Sequence, residues 1–322
     1  MDDILFSTPG NPVPENHTAG YFEGARKTKL RYAIFRSETS PARGTIVLLQ
    51  GRNEFIEKYY ETIRDLNAMG LWVATYDLRG QGGSERLLKD RRKGHVRRFA
   101  DYERDLELFL EKVVLPDARL PFFILAHSTG ALIALSVAPR LANRIDRMAL
   151  AAPFVGLTQQ AMSEASIRKL SAFFSFTGLG QKAMGEDRGL RPFEGNPLTS
   201  DLTRFQRNGE VIAARPDLTI GAPTARWLHE TLTAATRITQ QAHLTQITIP
   251  TLILAPMLDG VVPYVAQEAL SRNFRAGQLI TITGARHELL QERDVYRAQV
   301  LAAIEAFMPG TDPMPDVEES AA

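Results

Sequence analysis

The sequence predicts an α/β fold, a mainly parallel sheet flanked by helices and interrupted once by a largely helical insertion. Short, nearly continuous apolar runs alternate with segments of helical spacing from residue 21 to residue 152. Strands of that kind are buried on both faces, as in parallel sheets covered by helices. The rhythm then lapses between Pro153 and Leu244, where helical stretches are punctuated by Gly178, Gly180, Gly195, Pro197, Pro216 and Pro223. It resumes with a strand at Ile249 and continues to the last helix.

The elements follow in order. Residues 1–20 carry Pro9, Gly10, Pro12 and Pro14 and read as an irregular arm. Tyr21-Phe22, Leu30–Phe35 and Thr45–Leu49 read as strands separated by turn residues at Gly24 and Pro41–Gly44. Ile56–Met69 has helical character and stops at Gly70. Leu71–Tyr76 is a buried-type strand, Tyr102–Val114 a helix, Pro121–Ala126 a strand and Thr129–Leu141 a helix. Arg147–Ala152, Ile249–Leu254 and Gln278–Ile282 complete the sheet, and a helix over Asp294–Phe307 closes it. The expected organisation is therefore an arm over 1–20, a core of 21–152 with 245–308, an insertion over 153–244 and a disordered tail over 309–322.

Composition narrows the function. The 322 residues include 44% hydrophobic and 23% charged residues, the balance of a folded globular chain. Cys is absent, which excludes disulfides, thiolate metal sites and a cysteine nucleophile. A net charge of +1 gives no global field for nucleic acid. Runs such as Ala131–Ala138 fall short of the ~20 apolar residues that span a bilayer. The start, Met1-Asp2-Asp3-Ile4, is acidic and lacks a following apolar stretch, so no secretory signal is expected. The expected location is cytoplasmic, with contact at the inner membrane face as an option.

The sharpest chemical signal is Phe122-Phe123-Ile124-Leu125-Ala126-His127-Ser128-Thr129-Gly130-Ala131. A strand enters a helix through a serine whose neighbours two positions either side are small, as a nucleophile elbow demands. An ordinary N-cap serine would have the same local look. Asp259 lies just past a late strand, in Met257-Leu258-Asp259-Gly260, where carboxylates face the crevice of a parallel sheet. A turn aspartate before Gly260 is the plainer alternative. Of six histidines only His287, in Gly284-Ala285-Arg286-His287, follows a late sheet strand. Serine, acid and histidine in that chain order form a candidate triad: Ser128 as nucleophile, His287 as base, Asp259 as its orienting acid. Gln50-Gly51-Arg52-Asn53 follows an early strand, and the backbone N–H groups of Arg52 and Thr129 are the candidate oxyanion donors. The Arg52 side chain pairing with Glu54 or another acid is an equally simple role for that residue.

At these residues the chain resembles the α/β-hydrolases, within them the serine-hydrolase group of monoacylglycerol lipases and bacterial lysophospholipases, in its lysophospholipase L2-like branch. The resemblance spans residues 20–308. It rests on Leu30-Arg31-Tyr32-Ala33, Gly51-Arg52-Asn53-Glu54, Tyr76-Asp77-Leu78-Arg79-Gly80-Gln81-Gly82-Gly83-Ser84, and Phe99-Ala100-Asp101-Tyr102 with Asp105-Leu106. Asn196-Pro197-Leu198-Thr199-Ser200-Asp201 with Arg204-Phe205, and Gly221-Ala222-Pro223-Thr224 with Trp227-Leu228, belong to it as well. The chain departs at Gln50-Gly51, where many members have His-Gly. It departs also at Ala126-His127-Ser128-Thr129-Gly130-Ala131, where Gly-His-Ser-Met-Gly-Gly is common. The resemblance implies an α/β-hydrolase fold with a helical cap, and an acyl-enzyme on Ser128 without metal or organic cofactor. It implies a small-molecule lipid ester as substrate, preferably a lysophospholipid, with a monoacylglycerol or short-chain ester as alternative. A non-catalytic binding protein of the same fold is the reading from another class.

Gly51, Trp227, Phe173 and Phe174 are the candidate substrate contacts. Ile167, Leu170, Phe173, Phe174 and Phe176 crowd one helical stretch beside Arg168 and Lys169. They either pack onto the core or form an apolar cap face toward lipid. The basic run Arg86–Arg98 is a solvated face or a contact to an anionic membrane surface. Asp77, Gly80, Gly82 and Ser84 are expected to shape a turn near the site.

Overall fold

The computed structural model describes residues 4–158, 162–185 and 192–308. The expected disordered tail, 309–322, lies outside them. The chain opens with an antiparallel pair, β1 (His17–Glu23) and β2 (Lys29–Phe35), followed by β3 (Gly44–Leu49). A 3-10 turn over Ile56–Tyr59 leads into α1 (Tyr60–Ala68), then β4 (Leu71–Tyr76), α2 (Phe99–Phe109) and β5 (Phe122–His127). After β5 come α3 (Thr129–Leu141) and β6 (Arg147–Ala151). The segment between β6 and β7 carries α4 (Glu164–Phe176), α5 (Leu202–Ala214) and α6 (Ala225–Ile238). The chain then runs through β7 (Thr251–Pro256), α7 (Tyr264–Asn273), β8 (Gly277–Ile282) and α8 (Asp294–Phe307).

The eight strands lie in the order β1-β2-β4-β3-β5-β6-β7-β8, antiparallel from β1 to β4 and parallel from there on. The chain crosses from β4 back over β3 to β5, so strand order reverses at β3. Crevices open at such switch points beyond the carboxyl ends of the strands. Continuous apolar strands serve both faces because successive side chains alternate. Val47, Leu49, Ile124, Ala126 and Leu150 face a core with Leu106 of α2, Leu132 of α3 and Leu232 of α6. Ile46, Leu48, Phe123, Leu125 and Ala149 face Ile63 and Leu66 of α1 and Val300 and Ile304 of α8.

Several expected boundaries move. The arm does not reach residue 20, because β1 already pairs from His17, opposite Phe35. The arm is also tied down: Ile4 carbonyl accepts from Arg31 Nη1 at 3.0 Å, and Asn11 Nδ2 donates to Glu57 carbonyl at 2.7 Å. The expected helix over 56–69 begins as a 3-10 turn, and that over 102–114 starts earlier, at Phe99, and ends in a π-wound turn over Leu110–Val114. β7 starts at Thr251, after Pro250, and extends to Pro256. α7 was not expected at all. Its apolar residues lack a strong stripe, and only Gln267 and Leu270 of the helix are buried.

Candidate active site

The site is built from strand exits. β3 and β5 pair with Leu49 opposite Ala126, so Arg52 and Thr129, each three residues further on, lie just past the ends of adjacent strands. Ser128, between β5 and α3, holds φ 51° and ψ −112°, a region costly for any residue with a Cβ. Three main-chain bonds hold it there: its N–H donates to Ala151 carbonyl at 3.0 Å, and its carbonyl accepts from Leu132 and Phe154 N–H, each at 3.1 Å. The small neighbours are required by contact. A Cβ on Gly130 would stand 2.6 Å from the carbonyl oxygens of Leu49 and Gln50, and one on Gly51 2.9 Å from His127 Nδ1.

The structure brings Ser128, His287 and Asp259 together. His287 Nε2 lies 3.0 Å from Ser128 Oγ, and its Nδ1 lies 3.0 and 2.8 Å from Asp259 Oδ1 and Oδ2. Asp259 Oδ1 also accepts from Val261 and Val262 N–H at 2.8 and 2.9 Å, and Oδ2 from Gln267 Nε2 at 3.1 Å. Burial alone would raise the Asp259 pKa, but the His287 bond and the two main-chain N–H groups hold it below the usual carboxylate value. All three residues are buried. An imidazole locked between a carboxylate and a hydroxyl can take the hydroxyl proton.

Thr129 is the first residue of α3, so its N–H has no intrahelical acceptor. The loop opposite is clamped by Gln81, whose Nε2 donates to the carbonyls of Gly51 and Glu54 at 2.8 and 3.0 Å. Gln81 Oε1 accepts from Asn53 N–H at 3.2 Å. Glu54 is engaged by Lys58, Tyr59, His127 and the Gly51 N–H. From the Arg52 side chain Nη2 donates to Gly221 carbonyl, and the guanidinium covers Trp227, 5.3 Å from its ring centroid. Trp227 is buried, donates from Nε1 to Tyr102 Oη at 3.1 Å and meets Phe154 edge-on at 6.5 Å. Trp227 thus stands beside the Gly51–Arg52 loop. Phe173 and Phe174 are not brought there. Phe173 is 59% exposed on α4, and Phe174 lies under Lys182, 4.6 Å from its ring.

Sequence reasoning missed Gln81, Glu54, Lys58, Gln267 and the role of His127, because buried polar residues carry no local periodicity. Asp77 does shape its turn. It accepts from Arg31 Nε and Gly83 N–H at 2.6 Å each and from Ile56 N–H at 3.0 Å. Gly82, at φ 55°, leaves room for it, since a Cβ there would meet Asp77 Cγ at 2.2 Å. The basic run is partly structural. Arg86 is buried and donates to Asp217 and Thr219 carbonyls, while Gly94 exchanges main-chain bonds with Ala222 and Thr224. Lys89, Arg91, Arg92, Arg97 and Arg98 of the run are exposed.

Known proteins resemble this chain along most of its length. Residues 40–294 match the Hydrolase_4 family, described as serine aminopeptidase, S33. The chain is 32% identical over 296 residues to lysophospholipase L2 of Escherichia coli K12, covering 89% of this chain and 86% of that protein. It is 29% identical over 299 residues to a probable lysophospholipase L2 of Haemophilus influenzae, covering 92% and 94%. Its fold superposes on a soluble variant of monoglyceride lipase from Saccharomyces cerevisiae solved with a substrate analog. That match has a TM-score of 0.74 at 17% identity and covers 95% and 98% of the two chains. Monoacylglycerol lipase from Paleococcus ferrophilus is similar, with a TM-score of 0.68 at 19% identity over 88% and 99%. An eight-stranded sheet with its switch point at β3, together with a family match covering most of the chain, makes this a hydrolase of the α/β-hydrolase fold belonging to the S33 family.

Proposed function

We propose that the chain is a serine esterase that cleaves carboxylic esters of monoacyl lipids, lysophospholipids first, through an acyl-enzyme on Ser128. The observation that carries this is the unbroken chain from Ser128 Oγ through His287 to Asp259, with links of 3.0 and 2.8 Å. His287 takes the Ser128 proton as Oγ attacks the ester carbonyl, and Asp259 stabilises the imidazolium that results. The Arg52 and Thr129 N–H groups bind the tetrahedral oxyanion. His287 then protonates the leaving alcohol and activates the water that releases the fatty acid. A complete hydrogen-bonded triad speaks against the non-catalytic binding protein. The lysophospholipase names of the relatives at 29% and 32% identity favour a lipid ester over the peptide in the family's description.

The segment between β6 and β7 serves as a cap over the site. Gly51 and Trp227 wall the acyl slot beside the donor loop, whereas Phe173 and Phe174 touch lipid from outside. Two observations favour an anionic lipid surface there. Phe173, Phe176 and Leu179 are exposed together on and after α4. Next to them a groove of about 680 Å³ is lined by Arg26, Arg97, Arg98 and Arg226, balanced by Asp101 and Glu230. Among the described residues no helix is long and apolar enough to cross a membrane.

A hydrolysis panel of lysophospholipids, monoacylglycerols and short p-nitrophenyl esters tests the reading. Lysophospholipid turnover should lead, and Ser128→Ala should abolish both turnover and fluorophosphonate labelling. Turnover that survives Ser128→Ala, or folded wild type that no fluorophosphonate labels, refutes the mechanism. Arg97→Ser with Arg98→Ser should weaken sedimentation with anionic vesicles and not with neutral ones; equal sedimentation refutes the surface contact.

A further inference from the structure

The triad leaves one buried ionisable cluster unused, directly beneath the elbow. His127, the residue before Ser128, is 4% exposed. Its Nδ1 lies 3.1 Å from Glu54 Oε2 and its Nε2 3.3 Å from the main-chain carbonyl oxygen of His287. Both partners are acceptors. A neutral imidazole has one N–H and satisfies only one of them, whereas an imidazolium donates to both. Glu54 is held as a carboxylate by its other donors: Lys58 Nζ at 2.8 Å, Tyr59 Oη at 2.6 Å and the Gly51 N–H. Lys58 also pairs with Glu288 at 2.7 Å. Two buried carboxylates against one ammonium would leave an unbalanced negative charge, which burial penalises severely. One imidazolium cancels it.

We infer that His127 is permanently protonated at neutral pH and acts as a positioning residue, bonding the His287 carbonyl and setting a fixed positive charge beside the catalytic imidazole. This rests on the proposed catalytic roles of Ser128 and His287. The two imidazole rings stand 4.8 Å apart between centroids, tilted by 56°. Glu54 binds His127 through Nδ1, away from the Nε2 edge that meets the His287 main chain, so of the Glu54–His127 pair the imidazolium is the member nearer His287. The groups facing His127 are Glu54, Lys58 and Tyr59 from the loop and turn after β3, and His287 and Glu288 from the loop after β8. Burial opposes protonation of His127, yet the Glu54 carboxylate overrides it and raises the pKa. Burial likewise works against the Glu54 carboxylate, and Lys58 and His127 pull its pKa well below the usual value.

The test is nuclear magnetic resonance of protein labelled with ¹⁵N-histidine at pH 7.5, with His127 assigned sequentially from the backbone of Ala126 to Ser128. Both ring nitrogens of His127 should carry protons in the wild type. In Glu54→Gln the ring should lose one of them. In that variant kcat should fall about 10- to 100-fold with KM moving far less. A single ring proton on wild-type His127 overturns the inference, as does Glu54→Gln with two ring protons or an unmoved kcat. The wild-type spectrum requires no turnover, so it stands or falls independently of the esterase reading. It also remains decisive should Glu54→Gln not fold.

Discussion

Replacing Ser128 by glycine should abolish hydrolysis and make the protein more stable than the alanine variant. The structure supplies the magnitude. At φ 51° and ψ −112°, Ser128 lies outside the small left-handed well, in a region of the kind that costs a residue with a Cβ roughly 2–3 kcal/mol. Glycine adopts it freely but gives up about 0.7 kcal/mol through its greater freedom in the unfolded chain. Loss of the buried Cβ removes roughly another 0.5 kcal/mol of packing. About 1 kcal/mol in favour of glycine is left, equivalent to some 2–4 °C in Tm for a large domain. Alanine is the control because both variants lose the hydroxyl and its 3.0 Å bond to His287, and only glycine loses the strain. Urea unfolding of Ser128→Ala and Ser128→Gly, followed by tryptophan fluorescence, measures the difference. A glycine variant no more stable than alanine would show that the elbow is relaxed, and the case for Ser128 as a strained nucleophile would lose its energetic half.

Two further outcomes follow from contacts around the site. Gly130→Ala forces a Cβ against the main-chain oxygens of Leu49 and Gln50, so it should cost about 1–3 kcal/mol and displace the donor loop, with at least a tenfold loss in kcat; unchanged kcat and urea midpoint would contradict it. Glu61 on α1 accepts from Arg204 and Arg207 on α5; burial opposes its ionisation, but those bonds hold its pKa at about 2 against an ordinary 4.5. A lowered folded pKa gives stability that is present above pH 4.5 and lost as pH falls toward 2. Over that window Glu61→Gln should show a flatter decline in urea midpoint than the wild type, and parallel curves would exclude this clamp between core and cap.

The central strands were legible because parallel strands buried on both faces must be apolar throughout, as in Leu71–Tyr76 and Phe122–Ala126, and α8 was readable to both ends. The candidate triad was legible for a related reason. A serine at an elbow needs small neighbours, and an acid and a base must sit just past later strands, so each leaves a local trace. Other elements left none. α7 buries Gln267, a polar residue whose purpose shows only when it is seen donating to Asp259. α4 offered five apolar residues within one stretch, and periodicity could not say which face they covered. The fully buried positions are Ser171 and Ser175, one helical turn apart and small; Ile167 packs half-buried on the core, and Phe173 and Phe176 point outward.

A division of labour follows from these positions. Buried polar side chains from outside the candidate triad hold its parts in place. Gln81 holds the donor loop 30 residues before it, Gln267 holds Asp259, and His127 ties the elbow to the carbonyl of His287, 160 residues away. A buried amide or imidazole without its partner is expensive, so removing one support should disturb the group above it more than it disturbs the sheet. Substrate choice has no such constraint. The proposed lipid contacts lie on outward side chains of α4 and at the basic groove, where substituting exposed residues costs little stability. Chemistry and specificity are therefore free to change separately in this chain. That separation explains why a candidate triad could be named from sequence while the proposed ester preference rests on residues of the segment between β6 and β7.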